Sequence, residues 1–112
     1  MVTFEALKKL ALSFPETSEA PHFEKTSFRV KGKIFATYDR HTNRACIKLG
    51  ESDQDIFSLG NGGVIFPVDN KWGKQGWTIV ELAAVGDELF AAALTTAYRT
   101  VAPKKLSDLM KF

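Results

Sequence analysis

Residues 25–49 read KTSFRVKGKIFATYDRHTNRACIKL, and this stretch decides the fold class. Two runs that suit strands, Thr26–Val30 and Lys33–Tyr38, meet at a tight turn around Gly32, which can take the positive φ that such turns require. A third alternating run, Arg44–Leu49, follows a second turn. The pattern predicts three consecutive antiparallel strands, with alternate side chains of the third strand on opposite faces of the sheet.

Helical patterns lie on both sides of the predicted strands. Apolar residues recur at three- and four-residue steps over Phe4–Phe14, with Thr3 placed as the N-cap, which predicts an amphipathic first helix. Towards the C-terminus, Gly86 precedes an apolar stripe over Leu89–Val101 that predicts a long last helix. Tyr98 lies in this helix, and we expect its ring to be partly buried and its hydroxyl to reach the surface.

Shorter elements fill the middle of the chain. Ser52 and Asp55 have the spacing of a capping box and predict a short helix. Two further strands, Val64–Phe66 and Trp77–Leu82, flank a loop over Lys71–Gly76. The order α-βββ-α-ββ-α predicts a single α+β domain over all 112 residues, in which an antiparallel sheet and its hairpin wings pack with helices.

Size and composition narrow the class of protein. The chain has 112 residues, 45% of them apolar, which is enough for one packed core. No apolar run approaches the roughly 20 residues that span a bilayer, and Met1–Glu5 does not begin a secretory signal. Cys46 stands alone, so neither a disulfide framework nor a cysteine metal cluster is expected. We expect a cytoplasmic protein, monomeric rather than oligomeric, with no cofactor, no metal and no membrane partner.

Positive charge is concentrated in the strand segment. The whole chain has a net charge of +2, but residues 24–48 contain seven basic and two acidic side chains, or +5. Such a segment concentrates anions nearby, and basic side chains on a β-ribbon neutralise nucleic-acid phosphates. We expect nine residues to contact phosphates: Lys25, Arg29, Lys31, Lys33, Arg40, Arg44, Lys48, Lys71 and Lys74. The alternative is that these side chains only solvate exposed strands and discourage edge-to-edge association.

A family resemblance adds to this pattern. It rests on PHFEKTSFRV at residues 21–30, KIFA at residues 33–36, WGKQGW at residues 72–77, and Tyr98 with Lys104. On these residues, in this order and over nearly the whole chain, the sequence resembles the YjbR/MmcQ family of small bacterial proteins. The Trp-Gly-Lys-x-Gly-Trp element is the most specific part of the match.

The resemblance implies an α+β fold in which two β-hairpin wings flank helices, a double-wing architecture described as DNA-binding. It places Lys25, Arg29, Lys33 and Lys74 at matching motif positions, and it brings no catalytic residues. The other basic residues of the predicted set come from the charge pattern alone. The function we expect is contact between basic hairpins and the phosphate backbone of double-stranded DNA, with weak sequence preference.

Two other classes of function stay open at this point. Thirteen aromatic residues could line a groove, so the alternative is a non-enzymatic module that binds a protein or a small ligand. An enzyme would need a pocket that joins Cys46 to His22 or His41. Arg44 and Lys48, on the same strand face as Cys46, would lower the pKa of its thiol if that thiol were exposed.

The Trp72–Trp77 element has two interpretations. As a binding element, Lys74 would reach a phosphate and an indole would stack on a base, which contributes roughly 1–3 kcal/mol per base. As a structural turn, its glycines allow tight backbone geometry and its indoles bury apolar area. The structural interpretation is favoured, and it still holds Lys71 and Lys74 beside the hairpins.

Overall fold

Residues 1–110, which the computed structural model describes, form one six-stranded antiparallel sheet in the order β1-β2-β3-β4-β6-β5. The strands are β1 (Thr17–His22), β2 (Lys25–Val30), β3 (Lys33–Asp39), β4 (Arg44–Lys48), β5 (Ile65–Pro67) and β6 (Trp77–Glu81). The helices are α1 (Phe4–Ser13), α2 (Glu51–Ser58), α3 (Lys71–Lys74), α4 (Asp87–Val101) and α5 (Lys104–Ser107), followed by a 3-10 turn over Asp108–Met110. The predicted α+β class is confirmed.

The three strands predicted from residues 25–49 are confirmed as β2, β3 and β4, which lie side by side in the sheet. Lys31 and Gly32 join β2 to β3, and their φ angles are 51° and 80°. Positive φ at both positions is the pattern of a type I′ turn, whose twist matches that of the strands it joins. Lys31 and Gly32 therefore fix the register of the hairpin, and both can be recognised in the sequence as a turn.

A β-bulge shifts the pairing of β2 with β3. Phe28 lies opposite Ala36 and Arg29 lies opposite Ile34, so Phe35 is the extra residue on β3. Phe35 and Ala36 are both buried in the core as a result. Beyond the bulge the alternation resumes, and Ile34 emerges on the opposite side of the sheet beside Arg29.

The core lies between the sheet and the helices α1 and α4. Helix α4 packs on β3 and β4 and is capped by Gly86, as predicted. Tyr98 of α4 is fully buried; its ring centroid lies 4.9 Å from that of Phe14 and 5.6 Å from that of Phe35. Its hydroxyl donates to the carbonyl oxygen of Pro15 at 2.7 Å, and burial raises the pKa of Tyr98. The expectation that this hydroxyl reaches the surface was wrong, because a backbone acceptor lies within the core layer.

Three details of the predicted secondary structure were wrong. Strand β1 was not predicted, because its sequence TSEAPH lacks an alternating apolar pattern, and none of its side chains is fully buried. Helix α2 begins after Gly50 without a side-chain cap, so Ser52 and Asp55 lie inside the helix and form no capping box. The predicted loop over Lys71–Gly76 begins with the short helix α3, because the side chain of Asn70 accepts the Trp72 N–H at 2.8 Å and caps it.

The two edges of the sheet are β1 and β5. Strand β1 carries Pro21 and the charged residue Glu19, which forms an ion pair with Lys8 of α1 at 3.1 Å. Strand β5 has three residues and ends at Pro67, as predicted for a strand end or an edge. Both edges are thus interrupted by proline, which cannot donate a ladder hydrogen bond.

Candidate nucleic-acid interface

The face of the sheet opposite α1 and α4 is here called the open face. The strand register brings onto this face the alternate side chains that do not point into the core. They are Ser18, Ala20, His22, Lys25, Ser27, Arg29, Ile34, Thr37, Asp39, Arg44, Cys46, Lys48, Phe66, Trp77, Ile79 and Glu81. Most are half-buried, so they form a continuous surface of mixed polar and apolar character.

Four of the nine predicted phosphate-contacting residues lie together on the open face: Lys25, Arg29, Arg44 and Lys48. They come from β2 and β4, which are separated by β3 alone, so the two pairs stand about 10 Å apart at the usual strand spacing. The prediction that Arg44 and Lys48 share a face with Cys46 is confirmed.

The structure places the other predicted residues away from this face. Lys31 lies in the β2–β3 turn, with its ammonium nitrogen 3.7 Å from a carboxylate oxygen of Glu16. Lys33 pairs with Val30 and belongs to the alternate side of β3, where it is exposed. Arg40 lies in the β3–β4 turn and lines a depression with Glu24.

Lys71 and Lys74 belong to α3, and both are exposed. The ammonium group of Lys71 lies 5.6 Å from the ring centroid of Trp72. This distance is within the range of a cation–π contact, so the charge sits beside an aromatic surface.

Two of the open-face cations have protein partners. The guanidinium of Arg44 donates to both carboxylate oxygens of Glu81, at 2.6 and 3.1 Å, and the hydrogen bonds and charge of Arg44 lower the pKa of Glu81. Lys48 donates to the carbonyl oxygen of Gln75 and lies 5.5 Å from the ring centroid of Trp77. These contacts hold both long side chains in place, and the carboxylate of Glu81 offsets the charge of Arg44.

The other two open-face cations, Lys25 and Arg29, make fewer direct contacts with the protein. Arg29 donates from Nε to the hydroxyl of Ser27 at 3.0 Å, which orients the side chain along β2. The pKa of Asp39, on the neighbouring strand, is lowered. Partial desolvation of its carboxyl would raise this pKa, but the hydrogen bond from the His41 N–H and the positive charge of Lys25 lower it. Arg29 has no carboxylate among these contacts and is therefore the open-face cation with most charge available for a ligand, whereas part of the Lys25 charge acts on Asp39.

The Trp72–Trp77 element is built as a structural turn. A Cβ at Gly73 would lie 1.9 Å from the carbonyl oxygen of Val68, and one at Gly76 would lie 2.0 Å from that of Leu49. Both glycines are thus required for close backbone approach.

A buried glutamine secures this turn from α2. The amide nitrogen of Gln54 lies 2.9 Å from the Gly73 carbonyl oxygen, 3.0 Å from the Thr78 hydroxyl and 3.3 Å from the Trp77 carbonyl oxygen. Gln54 therefore connects α2 with α3 and β6. No local sequence pattern marked it, because its partners are 19 to 24 residues away.

A trough runs along the open face between β2 and the α3 segment. Its larger part has a volume of about 380 Å³ and is lined by His22, Lys25 and Ile34 on one side and by Val68, Trp72 and Trp77 on the other. A smaller part, of about 220 Å³, continues it over Thr37, Asp39, Arg44 and Ile79. Trp72 remains 49% exposed. An aromatic wall with a cationic rim can accept a planar anionic group, and a nucleotide has this character.

Cys46 and His22 both line this trough, which meets the condition of a pocket that joins the cysteine to a histidine. Burial raises the pKa of the Cys46 thiol to about 11, and this effect outweighs the nearby charge of Lys25. The thiol is therefore protonated at neutral pH, whereas a cysteine nucleophile needs a thiolate. The chemistry that the arrangement supports best is binding.

Two features are absent from residues 1–110. Within that range no group of three or more His, Cys, Asp or Glu side chains could hold a metal ion. The same residues contain no helix with the length and apolar character needed to cross a bilayer.

Two features of the site were not predicted from sequence. Ile79 and Phe66 join the open face through the pairing of β6 with β5, which the separate strand patterns did not reveal. Phe23 lies at the tip of the β1–β2 hairpin and is 94% exposed. Recognising it required strand β1, whose sequence carries no strand signal.

The family of this chain follows from its similarity to known proteins. No curated protein matches the sequence. The crystal structure of the Deinococcus radiodurans protein DR2400, which contains a DUF419 domain, has the same fold: its TM-score is 0.78 at 24% identity, over 90% of this chain and 79% of that one. The YjbR family model matches residues 12–100. The chain therefore belongs to the YjbR family, as the resemblance in its motifs implied.

Proposed function

We propose that this protein binds DNA on the open face of its sheet, through contacts to the phosphate backbone with weak sequence preference. In this proposal the β1–β2 and β2–β3 hairpins serve as the two wings. In this proposal the protein acts in the cytoplasm, where its single cysteine would stay reduced, and it acts as a monomer.

The observation that carries the proposal is the placement of Lys25, Arg29, Arg44 and Lys48 on one face. Against these four cations, the open face as described carries two carboxylates, Asp39 and Glu81. A local excess of positive charge releases counterions when it meets phosphates, and this gives affinity without base reading. The aromatic wall of the trough adds a surface on which an exposed base could stack.

The proposal predicts binding that weakens steeply with salt. We would titrate fluorescently labelled double- and single-stranded DNA with the protein and follow fluorescence anisotropy at several salt concentrations. Lys25→Gln and Arg29→Gln should each weaken binding to all duplex sequences alike and reduce the slope of log K against log salt by roughly one. Lys33→Gln, on the other side of β3, should have a smaller effect.

The matched control is Lys9→Gln, which removes an exposed lysine from α1 on the helix side of the molecule. It lowers the net charge by the same amount but should leave the salt slope unchanged. Equal effects of Lys9→Gln and Lys25→Gln would mean that only bulk charge matters, and the open face would be rejected. An absence of binding at low salt would reject DNA as the partner.

The Arg44–Glu81 pair provides a second functional prediction. Glu81→Gln removes the carboxylate that Arg44 now holds, so the guanidinium becomes free for phosphate. We expect tighter DNA binding and a salt slope steeper by roughly one. The same anisotropy titration measures both, and unchanged affinity would show that Arg44 does not reach the DNA.

The trough favours a second candidate, a module that binds a small aromatic anion. Its volume of about 380 Å³ lies within the range of small-molecule sites. Both tryptophans of the chain line it, so a ligand in the trough should quench the intrinsic fluorescence. Quenching by a mononucleotide, in a protein that binds no DNA at low salt, would replace the first proposal with this one.

A further inference from the structure

The tip of the β1–β2 hairpin has an unusual composition for its geometry. His22 and Lys25 form the last pair of the two strands, so Phe23 and Glu24 are the two residues of the turn. The φ angle of Phe23 is 58°, whereas that of Glu24 is not positive. Positive φ at the first turn residue alone is the pattern of a type II′ turn, in which that position is normally glycine.

Phe23 adopts a strained backbone conformation, and burial of its side chain does not offset that strain. A bulky residue with positive φ is rare because its Cβ crowds the backbone. The other non-glycine residues with positive φ among residues 1–110 are Glu16, Lys31 and Asn43, which are polar. The Phe23 side chain is 94% exposed, so it buries almost no apolar area. Its ring lies against that of His22, with 4.8 Å between the centroids. Strain retained without a packing benefit points to a role in binding.

The surroundings of Phe23 indicate a polyanionic partner. His22 and Lys25 beside it both line the trough, so the ring stands at the rim of the open face. Arg40, in the turn that joins β3 to β4, lies at the same end of the sheet, because Tyr38 pairs with Thr26 next to Lys25. The one carboxylate in the turn, Glu24, lines a separate depression with Arg40. Lys25 therefore lies two positions from the ring, and Arg40 lies at the same end of the sheet.

A projecting ring on a two-residue turn has the shape of a wedge. A two-stranded ribbon fits into a groove of duplex DNA, and phenylalanine is among the apolar side chains that insert between base steps and kink the duplex. An unpaired base would instead be expected to stack on a flat aromatic wall, such as Trp72 in the trough.

We propose that Phe23 inserts between two stacked base pairs of bound duplex DNA, with Lys25 and Arg40 on the flanking phosphates, and bends the duplex. This inference rests on the proposed function, since it names how the open face engages the DNA. It also explains why the turn contains phenylalanine at a position where glycine would remove the backbone strain.

The test is Phe23→Gly, because its effects on stability and on binding should have opposite signs. Glycine removes the cost of positive φ, so the melting temperature should rise by a few degrees. Loss of the wedge should weaken binding to duplex DNA about tenfold, with an unchanged salt slope, because stacking contributes on that scale and no charge has been removed. A duplex containing 2-aminopurine should become brighter when the wild-type protein unstacks a base step, and this signal should vanish with Phe23→Gly. Phe23→Trp should retain it.

Asn43→Gly is the matched control, because it places glycine at another turn residue with positive φ, 54°, without removing an aromatic ring. It should leave the affinity and the 2-aminopurine signal unchanged.

Several results would overturn the wedge. Wild-type affinity and signal in Phe23→Gly would do so while leaving the open-face proposal intact, provided that Lys25→Gln still reduces the salt slope. A fall in both stability and affinity would show that Phe23 is structural. Loss of single-stranded binding without any 2-aminopurine signal in the duplex would assign the ring to an unpaired base. If the wild-type protein binds no DNA, the wedge and the proposed function fail together.

Discussion

Gly76→Ala is expected to lower the free energy of unfolding by more than about 3 kcal/mol, since it combines a backbone collision with a forbidden backbone angle. Gly76 has φ of 106°, and an added Cβ would lie 2.0 Å from the Leu49 carbonyl oxygen. Leu49 cannot move away freely, because its N–H donates to the Gly76 carbonyl oxygen at 2.9 Å. The collision must therefore separate the end of β4 from the turn that precedes β6.

Urea unfolding followed by tryptophan fluorescence measures this loss. Gly62→Ala is the matched control, because Gly62 has φ of 67° and nothing within 4 Å of an added Cβ. It should cost about 1 kcal/mol, the penalty for left-handed geometry alone. Equal losses in the two variants would show that backbone conformation, and not close approach, makes Gly76 necessary.

Gln54→Glu is expected to have a comparably large effect, although the two side chains have nearly the same shape. The amide nitrogen of Gln54 faces three oxygen acceptors and is largely buried, with the whole residue 8% exposed. An ionised carboxylate would have no hydrogen to donate and would face those oxygens with an unpaired charge. Such a buried charge costs more than about 3 kcal/mol, so the variant should be much less stable at neutral pH.

The destabilisation by Gln54→Glu should depend on pH with a definite sign. Burial raises the pKa of the introduced carboxyl in the folded state above its unfolded value of about 4.3. The penalty is therefore smallest below pH 4.3, grows as pH rises towards the folded-state pKa, and then levels off. Unfolding of the variant and wild type at pH 4.5 and pH 8 measures this difference. A pH-independent loss would mean that the charged side chain turns into solvent.

The parts of the fold that follow from local chemistry were predictable. Alternation over residues 25–49, with Gly32 between two strands, was sufficient for β2, β3 and β4. The capping of α1 by the Thr3 hydroxyl, which accepts the Ala6 N–H at 3.1 Å, was also visible. In these cases the residue that determines the structure lies within a few positions of the element it determines.

The failures share a physical reason, which is that tertiary pairing overrides a weak local signal. Strand β1 is held by its pairing with β2, although TSEAPH has little strand character of its own. The bulge at Phe35 cannot be read from KIFATY, since neighbouring apolar residues fit either phase of the alternation.

The candidate site was predictable in its charge but not in its geometry. The basic segment was visible, and so was the shared face of Arg44, Cys46 and Lys48. The partner of Arg44 is Glu81, 37 residues away, and only the pairing of β4 with β6 brings the two together. The pKa of the Cys46 thiol was not predictable either, because Arg44 and Lys48 would lower it only if the thiol were exposed, and burial raises it.

The prolines in the two edge strands affect whether molecules of this protein associate with one another at high concentration. A regular sheet can be extended by a strand from another molecule, which is how edge-to-edge aggregation begins. Pro21 interrupts the row of backbone donors on β1, and β5 offers two residues, Ile65 and Phe66, before it ends at Pro67. A strand from another molecule could therefore not form a continuous hydrogen-bond ladder with either edge. The domain can expose a partly apolar open face to a ligand without its sheet edges promoting assembly.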